Sequence, residues 1–252
     1  MVLVDTHCHL GSRQYDGDRA EMVERMLDRG VTEAIIICCG RHDLLAGARL
    51  RAEHPGFKLA CSIHPQDLEE DSSERRLAEL RQVIEEYQPD VVGETGLDYH
   101  SHPHTKEQQK HFFHAQLAMA EEFDLPVNVH CRRAAGDLLE ILKQHHCRGI
   151  IHSYSGSFEM AELYMKEGYY ISFGASMLFA GAKKPAAVIA RMPLDRLLLE
   201  TDSPYQSPVR GTRHEPQDIL RIYEAVSRIK GIPLPELAEA IAENFHHLFR
   251  EG

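Results

Sequence analysis

VDTHCHL (Val4–Leu10) sets two histidines two positions apart at the end of an apolar run. Side chains at that spacing in a strand share a face. His7 and His9 would therefore leave a buried strand side by side, at a separation suited to one metal ion. An isolated pair of this kind is more often solvated or hydrogen-bonded, because short motifs recur by chance. The choice between the two readings rests on whether the rest of the chain supplies further ligands.

Working outward, short β-type runs alternate with longer amphipathic stretches. The runs are VLVD (2–5), EAIIICC (33–39), KLACSI (58–63), VVGETG (91–96), LPVNVH (125–130), GIIHSY (149–154), YYISFG (169–174) and RLLLET (196–201). They are rich in Val, Ile and Leu without clean alternation, as strands buried on both faces are. Between them lie helical patterns. Asp18 is placed to cap a helix that stops at Gly30, and Ser72 or Ser73 one that ends before Pro89. Further helical stretches cover 105–123 and the segment carrying Leu237, Ile241, Phe245 and Leu248. No linker or change of composition divides the chain. The expectation is an α/β fold: a single (β/α)8 TIM barrel domain over residues 1–252, with a metal site at the C-terminal ends of the strands. An open doubly wound sheet is the alternative.

The chain has 252 residues, 43% hydrophobic and 27% charged, with a formal net charge of −11. That balance suits a soluble protein and argues against a broad basic surface for sheathing duplex nucleic acid. The six cysteines form no CxxC pair and read as reduced. With no apolar run of spanning length and no export signal, a cytoplasmic monomer without membrane partners is expected.

In a barrel of this kind chemistry sits where strands end. This sequence places His7 and His9 there on the first strand, His64 after the third and Glu94 on the fourth. His130, His152 and Asp202 stand at the ends of the fifth, sixth and eighth. Each alone has an ordinary explanation, but together they would bury charge that must be paired or metal-bound. His7, His9, Glu94, His130, His152 and Asp202 crowd one tetrahedral ion and suit two. Glu94 would bridge, His7, His9 and Asp202 would complete one site, and His130 and His152 the other. Mixed imidazole and carboxylate donors suit Zn, Mn, Fe, Co or Ni, with Mg less expected.

The stretches DTHCHL, VGETGLDYH, LPVNVHCR, IHSYSGS and LLLETDSPY, in this order and spacing, resemble the TatD-type metal-dependent hydrolases. That family belongs to the amidohydrolase superfamily of TIM barrels, and the resemblance runs from His7 to NFHHLF (244–249). It implies the same six metal ligands and a metal-dependent deoxyribonuclease of the 3′-to-5′ exonuclease type. It also places His64, in the xHP segment, near substrate. HSYSGS stands where the family usually has HCFSGS, and RGTRHEP (210–216) lacks the usual Asn. Three histidines, His100, His102 and His104, crowd the fourth β-α loop in HSHPH (100–104).

On this reading Asp202 is the general base and Glu94 the shared carboxylate, both catalytic. Arg132, Arg133, Arg210 and Arg213 are placed to clamp phosphates, and Tyr99 and Tyr154 to stack on bases. The acidic net charge restricts such contacts to single-stranded ends or short oligonucleotides. The alternatives are a small-molecule esterase, lactonase or phosphoesterase on the same centre, and an idle barrel serving as a binding module. The complete ligand set speaks against the last.

Overall fold

The computed structural model describes residues 1–69, 73–179, 181–209 and 211–250. Its eight strands are β1 (Leu3–Cys8), β2 (Val31–Cys38), β3 (Phe57–Cys61), β4 (Val91–Asp98), β5 (Val127–Arg132), β6 (Gly149–Ile151), β7 (Tyr169–Phe173) and β8 (Leu197–Leu199). They form one sheet in sequence order, every neighbouring pair parallel. Helices separate them: α1 (Arg19–Asp28), α2 (Arg41–Glu53), α3 (Arg75–Tyr87), α4 (Lys106–Glu122), α5 (Ala135–Leu142), α6 (Phe158–Lys166), α7 (Lys183–Arg191), α8 (Ile219–Lys230) and α9 (Leu234–Leu248). This is the (β/α)8 TIM barrel that the alternation implied.

The ring closes between β8 and β1 without a regular backbone ladder. Thr6 Oγ1 donates to the Leu199 carbonyl at 3.1 Å, and the Asp5 carboxylate accepts from the backbone and hydroxyl of Thr201 at 3.0 and 2.6 Å. Above them the Asp202 amide donates to His7 O at 2.9 Å and the His9 amide to Ser203 O at 2.7 Å. At the lower end the buried Tyr223 hydroxyl, from α8, bonds both N–H and C=O of Val4 at 3.1 Å. Buried backbone groups must find partners, and here side chains supply what a strand would have. These contacts also bring the His7–His9 segment against Asp202.

Several element ends differ from expectation. β1 runs on to Cys8, so His7 lies inside the strand and His9 just beyond it. β6 and β8 stop at Ile151 and Leu199, leaving His152 and Asp202 in the loops that follow. Asp18 occupies the N-cap position of α1 but makes no cap bond, because its carboxylate is held by Arg213 and Arg25. α3 is entered through Glu74, with Ser72 outside the described residues, and ends as expected before Pro89, with Gln88 left-handed at φ 46°. The six cysteines are free, and among the described residues no helix is long and apolar enough to cross a membrane.

Candidate metal centre

The fourth strand carries the device that aims Glu94. Gly93 pairs with Asn128 of β5, but Thr95 pairs with the next residue, Val129, leaving Glu94 as an extra residue in a bulge. Bulges re-aim side chains in this way. The glycines on either side allow it. A Cβ on Gly93 would lie 2.6 Å from Asn128 Cβ, and Gly96 takes φ +140° with His130 O where a side chain would go. The sequence VGETG therefore brings β4 close against β5 and turns Glu94 toward the barrel axis.

Around Glu94 the expected ligand residues converge. One carboxylate oxygen, Oε2, faces His7 Nε2 at 3.3 Å. The other, Oε1, faces His130 Nδ1 at 2.6 Å and His152 Nε2 at 2.8 Å. Asp202 Oδ1 lies 3.3 Å from His9 Nε2 and 3.6 Å from His7 Nε2. His7, His9 and Asp202 thus form one group able to hold a cation, Glu94 with His7 and His152 a second, and Glu94 with His64 and His130 a third. The first two share His7, and Glu94 turns one oxygen to His7 and the other to His130 and His152.

The far nitrogens of three rings are fixed. His7 Nδ1 lies 2.9 Å from the Asn128 side-chain oxygen, His130 Nε2 lies 3.2 Å from Asp98 Oδ2, and His152 Nδ1 lies 3.1 Å from Glu200 Oε1. Each partner is an acceptor, so each ring donates from that far nitrogen, and the near nitrogen is the one that would give a lone pair to a cation in exchange for its proton. His64 is built the opposite way. Its Nδ1 accepts the Gln66 backbone N–H at 3.1 Å, which puts the proton on Nε2, 3.3 Å from Glu94 Oε1. Three imidazoles are thus held so that their near nitrogens would ligate a cation, and His64 offers a hydrogen.

Electrostatics follow from burial in one web. Desolvation alone would raise the Glu94 carboxyl, but His152, His64 and His7 outweigh it and hold the group well below the usual range. Burial acts likewise on Asp202, and the His9 hydrogen bond with the His7 and His9 charges holds it low. The imidazoles respond in kind. Burial disfavours the charged form of His152, but Glu94 and Glu200 raise its pKa well above that of a free histidine. His130 is also raised, burial being outweighed by Asp98 and Glu94. The metal-free centre thus gathers protons on its rings around ionised carboxylates. A cation would replace those protons, and the oriented lone pairs beside two carboxylates suit a borderline divalent ion.

The centre forms the floor of a cavity of about 640 Å³, with Asp43, Gln66, Asp67, Arg132, Tyr205 and Gln206 among its wall residues. Arg132 is exposed at this wall, as a phosphate contact requires. Arg213 is not available: it is bound to Asp18 at 2.5 Å and Glu215 at 2.7 Å and lies over the Tyr15 ring. Tyr154 is not at the cavity either. It packs edge-on to Tyr164 and Phe173, and its hydroxyl donates to Ser157 O at 2.6 Å. Tyr99 donates to Asp137 at 2.7 Å beneath Lys106. Arg210 lies outside the described residues. His100 and His104 are exposed, His102 is half-buried, and none of the three is among the cavity walls.

Two kinds of residue were not singled out from sequence. Asp98, Asn128 and Glu200 hold the far nitrogens; Asn128 and Glu200 lie within the runs 125–130 and 196–201, and Asp98 two residues past the run 91–96, on a β4 that extends to Asp98. Tyr205, 48% exposed, stands edge-on to His9 at 5.1 Å and supplies the aromatic surface expected of Tyr154. Beside it the Gln206 amide donates to Asp202 Oδ2.

A TIM barrel with imidazoles and carboxylates gathered at the C-terminal rim of its strands has the architecture of the metal-dependent hydrolases of the amidohydrolase superfamily. The family model described as TatD related DNase matches residues 4–250, and the chain belongs to the TatD family. YabD of Bacillus subtilis (strain 168), described as an uncharacterized metal-dependent hydrolase, is 36% identical over 99% of both chains. YcfH of Escherichia coli (strain K12), described in the same words, is 33% identical over 99% of this chain and 96% of its own. The crystal structure of YjjV, a TatD homologue from Escherichia coli K12, matches with a TM-score of 0.90 at 30% identity. It covers 99% of this chain and 98% of that one.

Proposed function

We propose that this chain is a metal-dependent phosphodiesterase that shortens single-stranded DNA from its end, in the 3′-to-5′ direction, with two divalent ions. The observation that carries this reading is the Glu94 carboxylate, whose two oxygens face different donor groups. His7, His9 and Asp202 would hold one ion, His130 and His152 the other, and Glu94 both. Bound there, divalent cations supply a water acidified toward about pKa 7 and positive charge opposite the phosphoryl oxygens.

The protein side chains divide the remaining work. Asp202 turns Oδ1 to the imidazoles, and Oδ2, outside that set, is the atom that would take the proton from water. Its low pKa keeps it ionised for this. His64, with its hydrogen on Nε2, would donate to a phosphoryl oxygen, a neutral contact that adds no charge to the site. Arg132 would pair with a neighbouring phosphate and Tyr205 would stack on the terminal base. The family description, TatD related DNase, supports DNA as substrate. The cavity volume lies in the small-ligand range of about 300–1,000 Å³, which suits a chain end better than a duplex.

That same volume, with Arg132 the one arginine among the described wall residues, favours as second reading a hydrolase of small phosphoesters or lactones on the same centre. One assay separates the two. Chelator-stripped protein would receive Mg, Mn, Zn or Ni singly, with end-labelled single-stranded DNA beside a panel of small esters and lactones. Metal-dependent stepwise shortening from the 3′ end, lost in Asp202→Asn, is the expected result. Intact DNA with turnover of a small ester would replace the first reading by the second.

A further inference from the structure

A second group of imidazoles lies away from the cavity, where α4 meets the connection between α5 and β6. His114 Nδ1 and His145 Nε2 stand 3.0 Å apart, the rings tilted by 48°. His145 turns its other nitrogen, Nδ1, to Glu121 Oε2 at 3.1 Å, and the second Glu121 oxygen accepts the His146 backbone N–H. With both of its oxygens accepting, Glu121 fixes the His145 proton on Nδ1, and the His145 Nε2 lone pair points at His114.

This is the manner in which ligating histidines are held, with the far nitrogen donating to a carboxylate and the near one free to coordinate. His111, one turn before His114, is turned away to Glu74 at 2.6 Å, which leaves His114 and His145 as the two imidazoles that face each other. Two nitrogens around one tetrahedral ion at about 2.0–2.1 Å are separated by about 3.3–3.4 Å. His114 and His145 need to open by only a few tenths of an ångström. His145 precedes the first residue of β6, at the end of the barrel opposite the catalytic floor.

We propose that His114 and His145, oriented by Glu121, bind a second class of metal ion in this protein, a borderline transition-metal cation such as Zn²⁺ whose remaining positions water would fill, clamping α4 to the α5–β6 connection. The competing explanation is a neutral imidazole–imidazole hydrogen bond with no ligand.

The test counts Zn²⁺. Chelator-stripped full-length wild type, His114→Ala and His145→Ala would be dialysed against micromolar free Zn²⁺, and bound zinc measured by mass spectrometry. Wild type is expected to hold one equivalent more than either variant. Glu121→Gln is expected to weaken that additional equivalent by about 10–100-fold. Equal zinc in wild type and both variants, or an unaltered affinity in Glu121→Gln, would overturn the proposal. Imidazole ¹H–¹⁵N spectra of wild type give a measurement free of folding effects. Zinc-dependent shifts of the His114 and His145 rings support the site, and rings that stay fixed as zinc is added overturn it. Because these readouts use neither DNA nor Asp202, failure of the nuclease reading would leave them intact.

Discussion

The floor and the mouth of the cavity are built on opposite principles. On the floor, His7, His9, Glu94, His152 and Asp202 are buried, and every oriented ring has a partner behind it. At the mouth, Tyr205 and Arg132 are exposed, and the acidic Asp43 and Asp67 share the wall. The floor is over-determined: moving one group leaves others buried without partners. The mouth is lightly held, and its residues can change without disturbing what lies beneath. Chemistry should therefore be fixed by the floor, and choice of substrate by the mouth.

The largest effect that would sharpen this contrast comes from the two carboxylates of the floor. Glu94→Gln or Asp202→Asn should lower turnover by about 1,000-fold or more, since each removes both a charge and a donor atom. Single-turnover assays at saturating metal would show it; near-normal turnover would break the assignment. Next are the residues that touch the rings from behind. Asp98→Asn and Glu200→Gln should weaken metal binding by about 10–100-fold with the ligands intact, measured by competition with a chromophoric chelator. A floor tolerant of both changes would not be over-determined.

Acidity gives the third test. In the metal-free centre His130 and His152 hold protons more tightly than a free histidine, whose pKa is about 6.5. Raised values mean that protons compete with the cation at and above that pH. Affinity should climb as pH rises through the raised values and fall on acidification, each uptake releasing protons. Calorimetry in buffers of differing ionisation enthalpy would detect the release; pH-independent uptake would contradict it. Smaller again, Tyr205→Ala should raise KM for DNA by about 5–150-fold, from about 1–3 kcal/mol of base stacking, with metal affinity unchanged. Arg213→Ala should leave kinetics untouched, because Arg213 serves the Asp18–Glu215 cluster and not the cavity. A matching rise in KM would show the mouth to be larger than drawn.

The same contrast governs what the sequence makes legible. Ring and carboxylate residues at strand ends stand out because apolar runs seldom finish that way, and the strand–helix rhythm shows where the ends are. Asp98 and Glu200 sit in the same segments, yet their side chains reach the centre only through the β4 bulge and the early end of β8. Register of that kind is not written in a residue's type. Tyr154 misled because it follows His152 by two positions. Alternation fails there: β6 has ended at Ile151, and Ser153 takes φ 46°, which turns Tyr154 into the layer between strands and helices. Arg213 misled because its carboxylate, Asp18, is 195 residues away.

The central claim is that one carboxylate joins two cation sites. Anomalous diffraction from crystals of the wild-type protein loaded with Mn²⁺ or Zn²⁺ tests it directly. Two peaks are expected at the cavity floor, one by His7, His9 and Asp202 and one by His130 and His152, each in contact with a different oxygen of Glu94. A single peak, or a pair in which Glu94 touches only one ion, would contradict it.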